Sequence, residues 1–277
     1  MPAAANAPVG IFDSGLGGLS VLRHIRAQLP RENLAYFADS AFAPYGGRPE
    51  ADVIERTLIV AGLLVARQCK ALVIACNTAT AAAVTAVRER YPLLSVVGVE
   101  PGLKPATLCS ASHVVGVLAT ERTLASRSFQ ALEARLSAAT GVRFLAQACK
   151  GLADQVEKGE LRSPTTAALV RRYVEPLVRE GADTLVLGCT HYPFLLPLIE
   201  ETAKCVAGRD ATVIDTGAAV ARQLQRVLTE GGMLRVADAR SSSMSAWTTG
   251  SATALARAFA NLLQLNVAVT AVGESRD

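Results

Sequence analysis

The stretch CKALVIACNT, residues 69–78, decides the fold class, and ADTLVLGCTH at residues 182–191 repeats its pattern. In each stretch a run of aliphatic residues ends in a small residue and then a cysteine, Cys76 or Cys189, followed directly by polar residues. Short apolar runs bounded by polar residues are typical of strands buried in a parallel sheet. Because ligands of open α/β sheets bind at the carboxyl ends of such strands, both thiols are predicted to lie where chemistry takes place.

Strand-like and helix-like segments are predicted to alternate along nearly the whole chain. The predicted strands are Val9–Phe12, Leu34–Ala38, Ala71–Ala75, Ser95–Gly98, Val114–Leu118, Val142–Ala146, Thr184–Gly188 and Ala211–Ile214. The predicted helices are Leu19–Gln28, Asp52–Gln68, Thr80–Arg90, Thr123–Ala139, Pro164–Glu180 and Ala218–Glu230. This alternation indicates an α/β fold with mainly parallel sheets.

Two α/β domains are predicted, because a long helix precedes both cysteine segments and the halves look pseudo-equivalent. The first domain is expected to comprise residues 1–98 and 209–277, and the second residues 99–208. A strand-like AWTTG and a helix within residues 246–263 would complete the first domain. The tail after Asn266 is expected to fray.

Composition and charge narrow the function classes. The chain has 277 residues, 51% of them hydrophobic, which suffices for a sizeable core. Its net charge of +4 is dispersed and only 5% of residues are aromatic, so a nucleic-acid surface is not expected. Neither a signal peptide nor a membrane-spanning helix is expected, and six cysteines without a C-x-x-C pair suggest reduced thiols in a cytoplasm rather than a metal site.

Two glycine-containing loops follow the first two predicted strands. Residues 13–18, DSGLGG, let the backbone approach a ligand closely ahead of a helix N-terminus, but they match neither a dinucleotide fingerprint nor a P-loop. This loop is either a carboxylate-binding turn or a tight turn that Asp13 caps. Residues 43–47, APYGG, could offer the Tyr45 hydroxyl and backbone N–H groups to a ligand, or could be an ordinary turn.

The two repeated thiols differ from the other four cysteines, which are expected to be buried structural thiols: Cys69, Cys109, Cys149 and Cys205. Cys76 and Cys189 each precede a predicted helix N-terminus, whose dipole lowers the pKa of a thiol. His191 adds a candidate base beside Cys189, but a hydrolytic Cys–His dyad would leave the duplicate at Cys76 unexplained. A phosphatase loop is excluded because Ala82 and Leu195 stand where an arginine is required. Two matched thiols facing one substrate would form an acid–base pair for moving a proton across a carbon.

Six segments together resemble the cofactor-independent glutamate racemases of the aspartate/glutamate racemase superfamily. They are VGIFDSGLGGLSVL (9–22), YFADSAFAPYG (36–46), LVIACNTATA (72–81), VVGVEPG (96–102), GVLATERT (116–123) and LVLGCTHYPFL (185–195). The resemblance implies two pseudo-symmetric α/β domains with the active site in the cleft between them. It implies the interconversion of L- and D-glutamate without a cofactor or a metal, which supplies D-glutamate for peptidoglycan and so for cell-wall biogenesis and cell shape.

The resemblance also implies roles for individual residues. Cys76 and Cys189 match the catalytic cysteines, Asp13 and His191 match helpers of the adjacent thiols, and Glu157 stands where a further family carboxylate is expected. The positions that match substrate contacts are Asp13, Ser14, Tyr45, Gly46, Asn77, Thr78, Thr123, Thr190 and His191.

Other readings of the sequence stay open at this point. Aspartate racemase is the alternative within the superfamily, although its sequences tend to carry Glu where this chain has His191. A phosphate- or nucleotide-binding protein would use the Asp13 turn and leave both thiols unexplained, and a non-catalytic binding protein would not need them. The sequence leaves the oligomeric state open, a homodimer included.

Overall fold

Two structural units make up the chain in a computed structural model, which describes residues 5–235 and 242–273. The first unit comprises Met1–Val99 and Gly217–Asp277, and the second comprises Glu100–Thr216. The first unit is therefore discontinuous in sequence, because the second unit is inserted between Val99 and Gly217.

Strands and helices alternate in both units. The strands are β1 (Val9–Asp13), β2 (Leu34–Ala38), β3 (Ala71–Ile74), β4 (Ser95–Gly98), β5 (Val114–Ala119), β6 (Arg143–Ala148), β7 (Thr184–Gly188), β8 (Thr212–Ile214), β9 (Met244–Thr248) and β10 (Val269–Ala271). The α-helices are α1 (Leu19–Gln28), α2 (Glu50–Ala66), α3 (Asn77–Arg90), α4 (Leu103–Cys109), α5 (Glu121–Ala125), α6 (Arg127–Thr140), α7 (Leu152–Glu157), α8 (Pro164–Arg179), α9 (Leu196–Ala207), α10 (Gly217–Glu230) and α11 (Ala252–Leu263). Short 3₁₀ turns occupy Ser40–Phe42, Tyr45–Gly47 and Tyr192–Leu195.

Each unit has one parallel sheet. The first has the strand order β10-β9-β2-β1-β3-β4, and the second has the order β6-β5-β7-β8. All the strand pairings of the described residues are parallel. The predicted α/β class with parallel sheets is thus confirmed. The order β2-β1-β3-β4 corresponds to β6-β5-β7-β8, so β3 and β7, which precede the two cysteines, hold equivalent positions.

Four strands of the two sheets are buried along their whole length. Every residue of β1, β2, β3 and β7 is buried, which explains why their sequences are nearly continuous apolar runs instead of alternating patterns. The core of the first unit includes Phe12, Phe37, Leu64, Leu72 and Ile74. The core of the second includes Leu118, Val174, Leu185, Leu187 and Ile199.

One predicted helix is two helices in the structure. The segment predicted as Thr123–Ala139 divides into α5 and α6 at Ser126, whose backbone is extended (φ −70°, ψ 140°). Its hydroxyl accepts a hydrogen bond from the N–H of Phe129 at 3.2 Å. Ser126 is therefore the N-cap of α6, and its side chain satisfies an N–H group that would otherwise have no partner.

The boundary of the second unit differs from the prediction, which ended the second domain at residue 208. Strand β8 pairs in parallel with β7, with Thr184 opposite Thr212, so residues 209–216 belong to the second unit. The expectation of a frayed tail after Asn266 is wrong for β10, which pairs with β9. Residues 274–277 of that tail lie outside the described residues.

The four cysteines expected to be buried behave in two ways. Cys69 and Cys149 are buried, whereas Cys109 and Cys205 are exposed, so the prediction was wrong for these two. Both exposed residues lie on helices, at the end of α4 and within α9, on faces turned to solvent. Burial raises the pKa of Cys69 to about 11, which keeps this thiol protonated and unreactive. No helix in the described part of the chain is long and apolar enough to span a bilayer.

Candidate active site

In the first unit, several site residues predicted from sequence meet at the carboxyl ends of β1 and β3. The register of these parallel strands places Phe12 opposite Ile74, and the N–H of Ala75 donates to the carbonyl of Phe12 at 2.7 Å. The next residues along each strand are therefore brought together. As a result the Cys76 thiol lies 3.7 Å from the Ser14 hydroxyl.

Cys76 is the N-cap residue of α3. Its backbone is extended (φ −81°, ψ 123°), and its sulfur accepts a hydrogen bond from the N–H of Ala79 at 3.5 Å. The helix therefore begins at Asn77, three residues before Thr80, where the sequence predicted its start. The N–H group of Ala79 and the positive end of the helix dipole both favour negative charge on this sulfur. The side chain is 5% exposed, so this thiolate would be largely removed from water.

Asp13 and Ser14 are buried at the end of β1, with exposed fractions of 0% and 2%. A carboxylate oxygen of Asp13 accepts a hydrogen bond from the N–H of Gly15 at 3.0 Å, which closes a tight turn after the strand. The hydroxyl of Tyr36 donates to the carbonyl of Gly15 at 2.9 Å and holds the same turn from β2. The turn that Asp13 caps is thus present, and it holds Ser14 beside the thiol.

Asn77 and Thr78 are the first residues of α3, and both are buried. The amide nitrogen and the amide oxygen of Asn77 are both buried without a hydrogen-bond partner among the described residues. An unsatisfied buried polar group costs about 1–3 kcal/mol, and such groups are rare in folded proteins. The Asn77 amide is therefore a strong candidate for a ligand contact.

Tyr45 lies in the loop after β2, but its hydroxyl does not face a ligand in the way the sequence suggested. The hydroxyl donates to a carboxylate oxygen of Asp39 at 2.5 Å. Burial and the neighbouring Asp39 charge raise the pKa of Tyr45 far above its ordinary value, so the hydroxyl keeps its proton. Gly46 follows it in the 3₁₀ turn Tyr45–Gly47, where the first N–H groups have no partner within the turn. The loop therefore presents backbone groups more readily than the tyrosine hydroxyl.

In the second unit, Cys189, His191 and Glu157 form a hydrogen-bonded chain. Cys189 follows the last residue of β7, and its sulfur lies 3.5 Å from Nδ1 of His191. The other ring nitrogen, Nε2, lies 2.6 Å from Oε1 of Glu157, the last residue of α7. A nucleophile or acid, a histidine and an orienting carboxylate in this order are the arrangement that activates a thiol.

The charges around His191 favour its protonated form. Burial lowers the pKa of His191, but the Cys189 sulfur and the Glu157 carboxylate outweigh burial and raise that pKa well above its ordinary value. An imidazolium 3.5 Å from the Cys189 sulfur can stabilise negative charge on that atom and can exchange a proton with it. Glu157 holds the ring in place through Nε2, which directs Nδ1 toward the sulfur.

The expectation that a helix dipole assists both thiols fits Cys76 better than Cys189. After Cys189 the chain forms the 3₁₀ turn Tyr192–Leu195, and α9 begins only at Leu196. The N–H of Tyr192 donates to the carbonyl of Cys189 and not to its sulfur. The hydrogen-bonded chain through His191 therefore takes the place of the α-helix N-terminus at this thiol.

Thr190 and Thr123 lie at the same edge of the second sheet. Thr190 follows Cys189 and is 5% exposed, whereas Thr123 lies in α5, just after β5, and is 2% exposed. Strands β5 and β7 are neighbours with Ala119 opposite Gly188, which brings the segments after them together. The Thr123 hydroxyl lies 2.9 Å from the hydroxyl of Thr120, the N-cap of α5.

Sequence reasoning missed two sets of residues near these sites. Asp39, which directly follows β2, accepts a bidentate interaction from Arg56. Its position at a carboxyl strand end was the available signal. Cys149 is buried near Cys189, and burial followed by the Cys189 charge raises the pKa of the Cys149 thiol above its usual range. Nothing in the sequence distinguishes Cys149 from an ordinary core cysteine.

Within the described ranges 5–235 and 242–273, no group of three or more His, Cys, Asp or Glu side chains is placed so that it could hold a metal ion. The chemistry that the arrangement supports is proton transfer by thiols. One thiol has a helix N-terminus beside it, and the other has a protonated histidine.

Comparison with known proteins gives one consistent result. Residues 10–224 match the family described as Asp/Glu/hydantoin racemase. The glutamate racemase of Methylococcus capsulatus is 56% identical over 227 residues, which cover 82% of this chain and 81% of that protein. A crystal structure of a glutamate racemase isoform from Bacillus anthracis superposes with a TM-score of 0.85 at 32% identity, covering 98% of both chains. The glutamate racemase of Francisella tularensis, solved in complex with D-glutamate, has a TM-score of 0.83 at 26% identity and covers 99% of this chain and 100% of its own.

Proposed function

We propose that this chain, which belongs to the Asp/Glu/hydantoin racemase family, interconverts L- and D-glutamate by a two-base proton transfer between Cys76 and Cys189. The observation that carries the proposal is the placement of one thiol after each of two equivalent strands, β3 and β7, each with its own means of stabilising a thiolate. The choice of glutamate rests on the relatives, which are glutamate racemases at up to 56% identity among those compared.

The reaction needs one thiolate and one thiol at a time. The thiolate removes the α-proton of glutamate and becomes a thiol, and the resulting carbanion takes a proton from the other thiol, which becomes the thiolate. The electron pair stays on the substrate throughout, so no oxidant or reductant is required. Following the family resemblance, Cys76 abstracts the proton from D-glutamate and Cys189 abstracts it from L-glutamate.

His191 and Glu157 act on the Cys189 half of the reaction. When Cys189 is a thiolate, the protonated imidazole at 3.5 Å stabilises its charge. Glu157, at 2.6 Å from Nε2, stabilises the positive ring in turn. General acid–base groups of this kind contribute about 10²–10⁴-fold to the rate of a proton transfer. On the Cys76 half, the N-terminus of α3 stabilises the thiolate charge, and Asp13, a helper of this thiol by the family resemblance, holds the turn that places Ser14 beside it.

Small polar groups are proposed to bind the substrate and to stabilise the negative charge that develops on it. The Asn77 amide supports this most directly, because both of its polar atoms are buried and have no hydrogen-bond partner within residues 5–235 and 242–273. The further proposed contacts are Asp13, Ser14, Tyr45, Gly46, Thr78, Thr123, Thr190 and His191. For Tyr45 and Gly46 the proposed contact is through backbone N–H groups.

Circular dichroism of L- and D-glutamate incubated separately with purified protein, without added cofactor, tests this proposal. We expect the optical signal to decay from either enantiomer to zero, with an equilibrium constant of one. Aspartate in parallel tests the alternative substrate. Racemisation of aspartate but not of glutamate would overturn the choice of substrate, and racemisation of neither would overturn the proposed function.

The cellular role follows from the proposed reaction. Supply of D-glutamate for peptidoglycan, and a cytoplasmic location, are proposed on the resemblance of the chain to cofactor-independent glutamate racemases. Depletion of the protein should produce cells that need external D-glutamate, and cell fractionation tests the location. A homodimer stays a proposal, which sedimentation of the purified protein tests.

A further inference from the structure

We propose that Asp39 is a positioning residue: together with Arg56 and Thr249, it holds loop 40–48 in the conformation that binds the substrate. Loop 40–48 lies between β2 and α2, and it carries Tyr45 and Gly46. The inference rests on the proposed function, since it takes the ligand of this loop to be glutamate.

The Asp39 carboxylate is saturated with hydrogen bonds. It directly follows β2, and the residue is 0% exposed. One oxygen accepts from the Tyr45 hydroxyl at 2.5 Å and from Nε of Arg56 at 3.0 Å. The other accepts from Nη2 of Arg56 at 2.8 Å and from the Thr249 hydroxyl at 2.9 Å. A carboxylate has about four acceptor sites, so this group has no capacity left for a ligand of its own.

Arg56 fixes the loop from the side of α2. Its guanidinium group forms the bidentate pair with Asp39 and also lies over the ring of Phe42, 3.6 Å from the ring centroid. Nε of Arg48 donates to the carbonyl of Phe42 at 2.5 Å. Phe42 is thus held through its ring and its backbone, and a planar guanidinium can make both contacts of Arg56 at once.

The C-terminal segment fixes the start of the loop. The Thr249 hydroxyl donates to Asp39 and accepts from the N–H of Ala41 at 3.1 Å. The next residue, Gly250, approaches so closely that a Cβ atom there would lie 2.8 Å from Cβ of Ser40. Residues 210 positions apart in the sequence therefore determine the path of the loop together.

In this network the Tyr45 hydroxyl stabilises the conformation of loop 40–48 and takes no part in proton transfer. A phenol has one proton to donate, and Tyr45 donates it to Asp39. Tyr45 is therefore a tether, packed against Phe12 with ring centroids 6.2 Å apart. The loop meets its ligand through N–H groups whose direction depends on that tether. Loosening the tether should weaken substrate binding while leaving proton transfer by the thiols intact.

Steady-state kinetics of Asp39→Asn, Arg56→Lys and Tyr45→Phe test the inference. We expect the KM for glutamate to rise by about 10-fold in Asp39→Asn with kcat changed by less than about 3-fold, because a contact made equally in the ground and transition states affects KM alone. Arg56→Lys keeps the charge and loses the fork geometry, so its KM should fall between those of Asp39→Asn and wild type. The dependence of kcat on pH should be the same in Tyr45→Phe as in wild type.

Asp183→Asn is the matched control. Asp183 is a buried carboxylate that also accepts several hydrogen bonds. It directly precedes β7, whereas Cys189 directly follows that strand, so the two residues lie at opposite ends of β7. The Asp183→Asn variant should be less stable than wild type, as Asp39→Asn should be, but its KM for glutamate should equal that of wild type. If Asp39→Asn does not fold, Thr249→Val and Tyr45→Phe each remove one neutral hydroxyl from the same carboxylate. An unchanged KM in the folded variants, or a pH-profile limb that disappears in Tyr45→Phe, would overturn the inference.

Hydrogen exchange distinguishes failure of this inference from failure of the proposed function. Loop 40–48 should exchange faster in Asp39→Asn than in wild type without any substrate, whereas Asp183→Asn should leave its exchange unchanged. If wild type fails to racemise glutamate, the proposed function is wrong, and unchanged exchange in Asp39→Asn would show separately that Asp39 does not hold the loop.

Discussion

Replacing Glu157 with Gln tests the hydrogen-bonded chain at Cys189. The substitution keeps the size of the side chain but removes the negative charge 2.6 Å from Nε2 of His191. A hydrogen bond to a charged group contributes about 1.5–3 kcal/mol. If the protonated ring stabilises the Cys189 thiolate, kcat/KM should therefore fall by roughly 10- to 100-fold, at about 1.4 kcal/mol for each factor of ten.

The loss should appear in both directions of the reaction. Because a racemisation has an equilibrium constant of one, kcat/KM for L- and D-glutamate must fall by the same factor in Glu157→Gln. The asymmetry should appear in the primary isotope effect with α-deuterated substrates, which should rise more for L-glutamate, from which Cys189 takes the proton. The pKa of His191 is raised partly by Glu157, so the alkaline limb of the kcat/KM profile should move to lower pH.

Circular dichroism at several pH values measures kcat/KM and the isotope effects, and Glu175→Gln is the control variant. Glu175 lies on α8 of the same unit and pairs with Arg171 and Arg179 at the surface. Its loss should change kcat/KM by less than about 2-fold, since surface ion pairs contribute little. Activity of Glu157→Gln within about 2-fold of wild type, with an unshifted pH profile, would refute the reasoning about this chain of contacts.

Three further predictions concern the thiols, the absence of a cofactor and acid stability. Cys76→Ala and Cys189→Ala should each abolish racemisation, and near wild-type rates in both variants would contradict the two-base mechanism. In deuterated water, the wild-type protein should place the deuterium label at the α-position of the product enantiomer first. Activity should survive EDTA and need no added pyridoxal phosphate, and a loss on EDTA treatment that a metal reverses would contradict this. Burial raises the pKa of Asp183, but hydrogen bonds from Ser110, Ser112 and Thr184 outweigh it and leave that pKa below its ordinary value. The ionised group therefore stabilises the fold above about pH 4, its ordinary pKa, and loses this effect as pH falls through its lowered value. Denaturant unfolding should find Asp183→Asn about 1–3 kcal/mol less stable at pH 7, with a smaller deficit below about pH 4; an equal deficit at every pH would contradict the charge argument.

Most of the strands, and the places of both thiols after them, could be located from the amino-acid sequence alone. Strands such as β2 and β7 have the predicted bounds, because a buried strand is a local run of apolar residues and needs no partner to be recognised. The position of Cys76 and Cys189 at strand ends follows from the same local pattern. Short-range polar effects were harder to read. Ser126 divides one predicted helix into two, and Cys76 begins another helix earlier than the sequence predicted. In both places a side chain caps a backbone N–H group, an interaction that a pattern of hydrophobic residues does not reveal.

Contacts between residues far apart in the sequence depend on the three-dimensional packing of the chain. Glu157 and His191 are 34 positions apart and meet because α7 and the turn after β7 pack together in one unit. Asp39 and Thr249 are 210 positions apart and meet because β9 pairs with β2. The second unit likewise extends to Thr216, since β8 pairs with β7. Sequence patterns record the preferences of short segments, whereas these partners depend on which strands become neighbours in a sheet, and that order results from the packing of the whole unit.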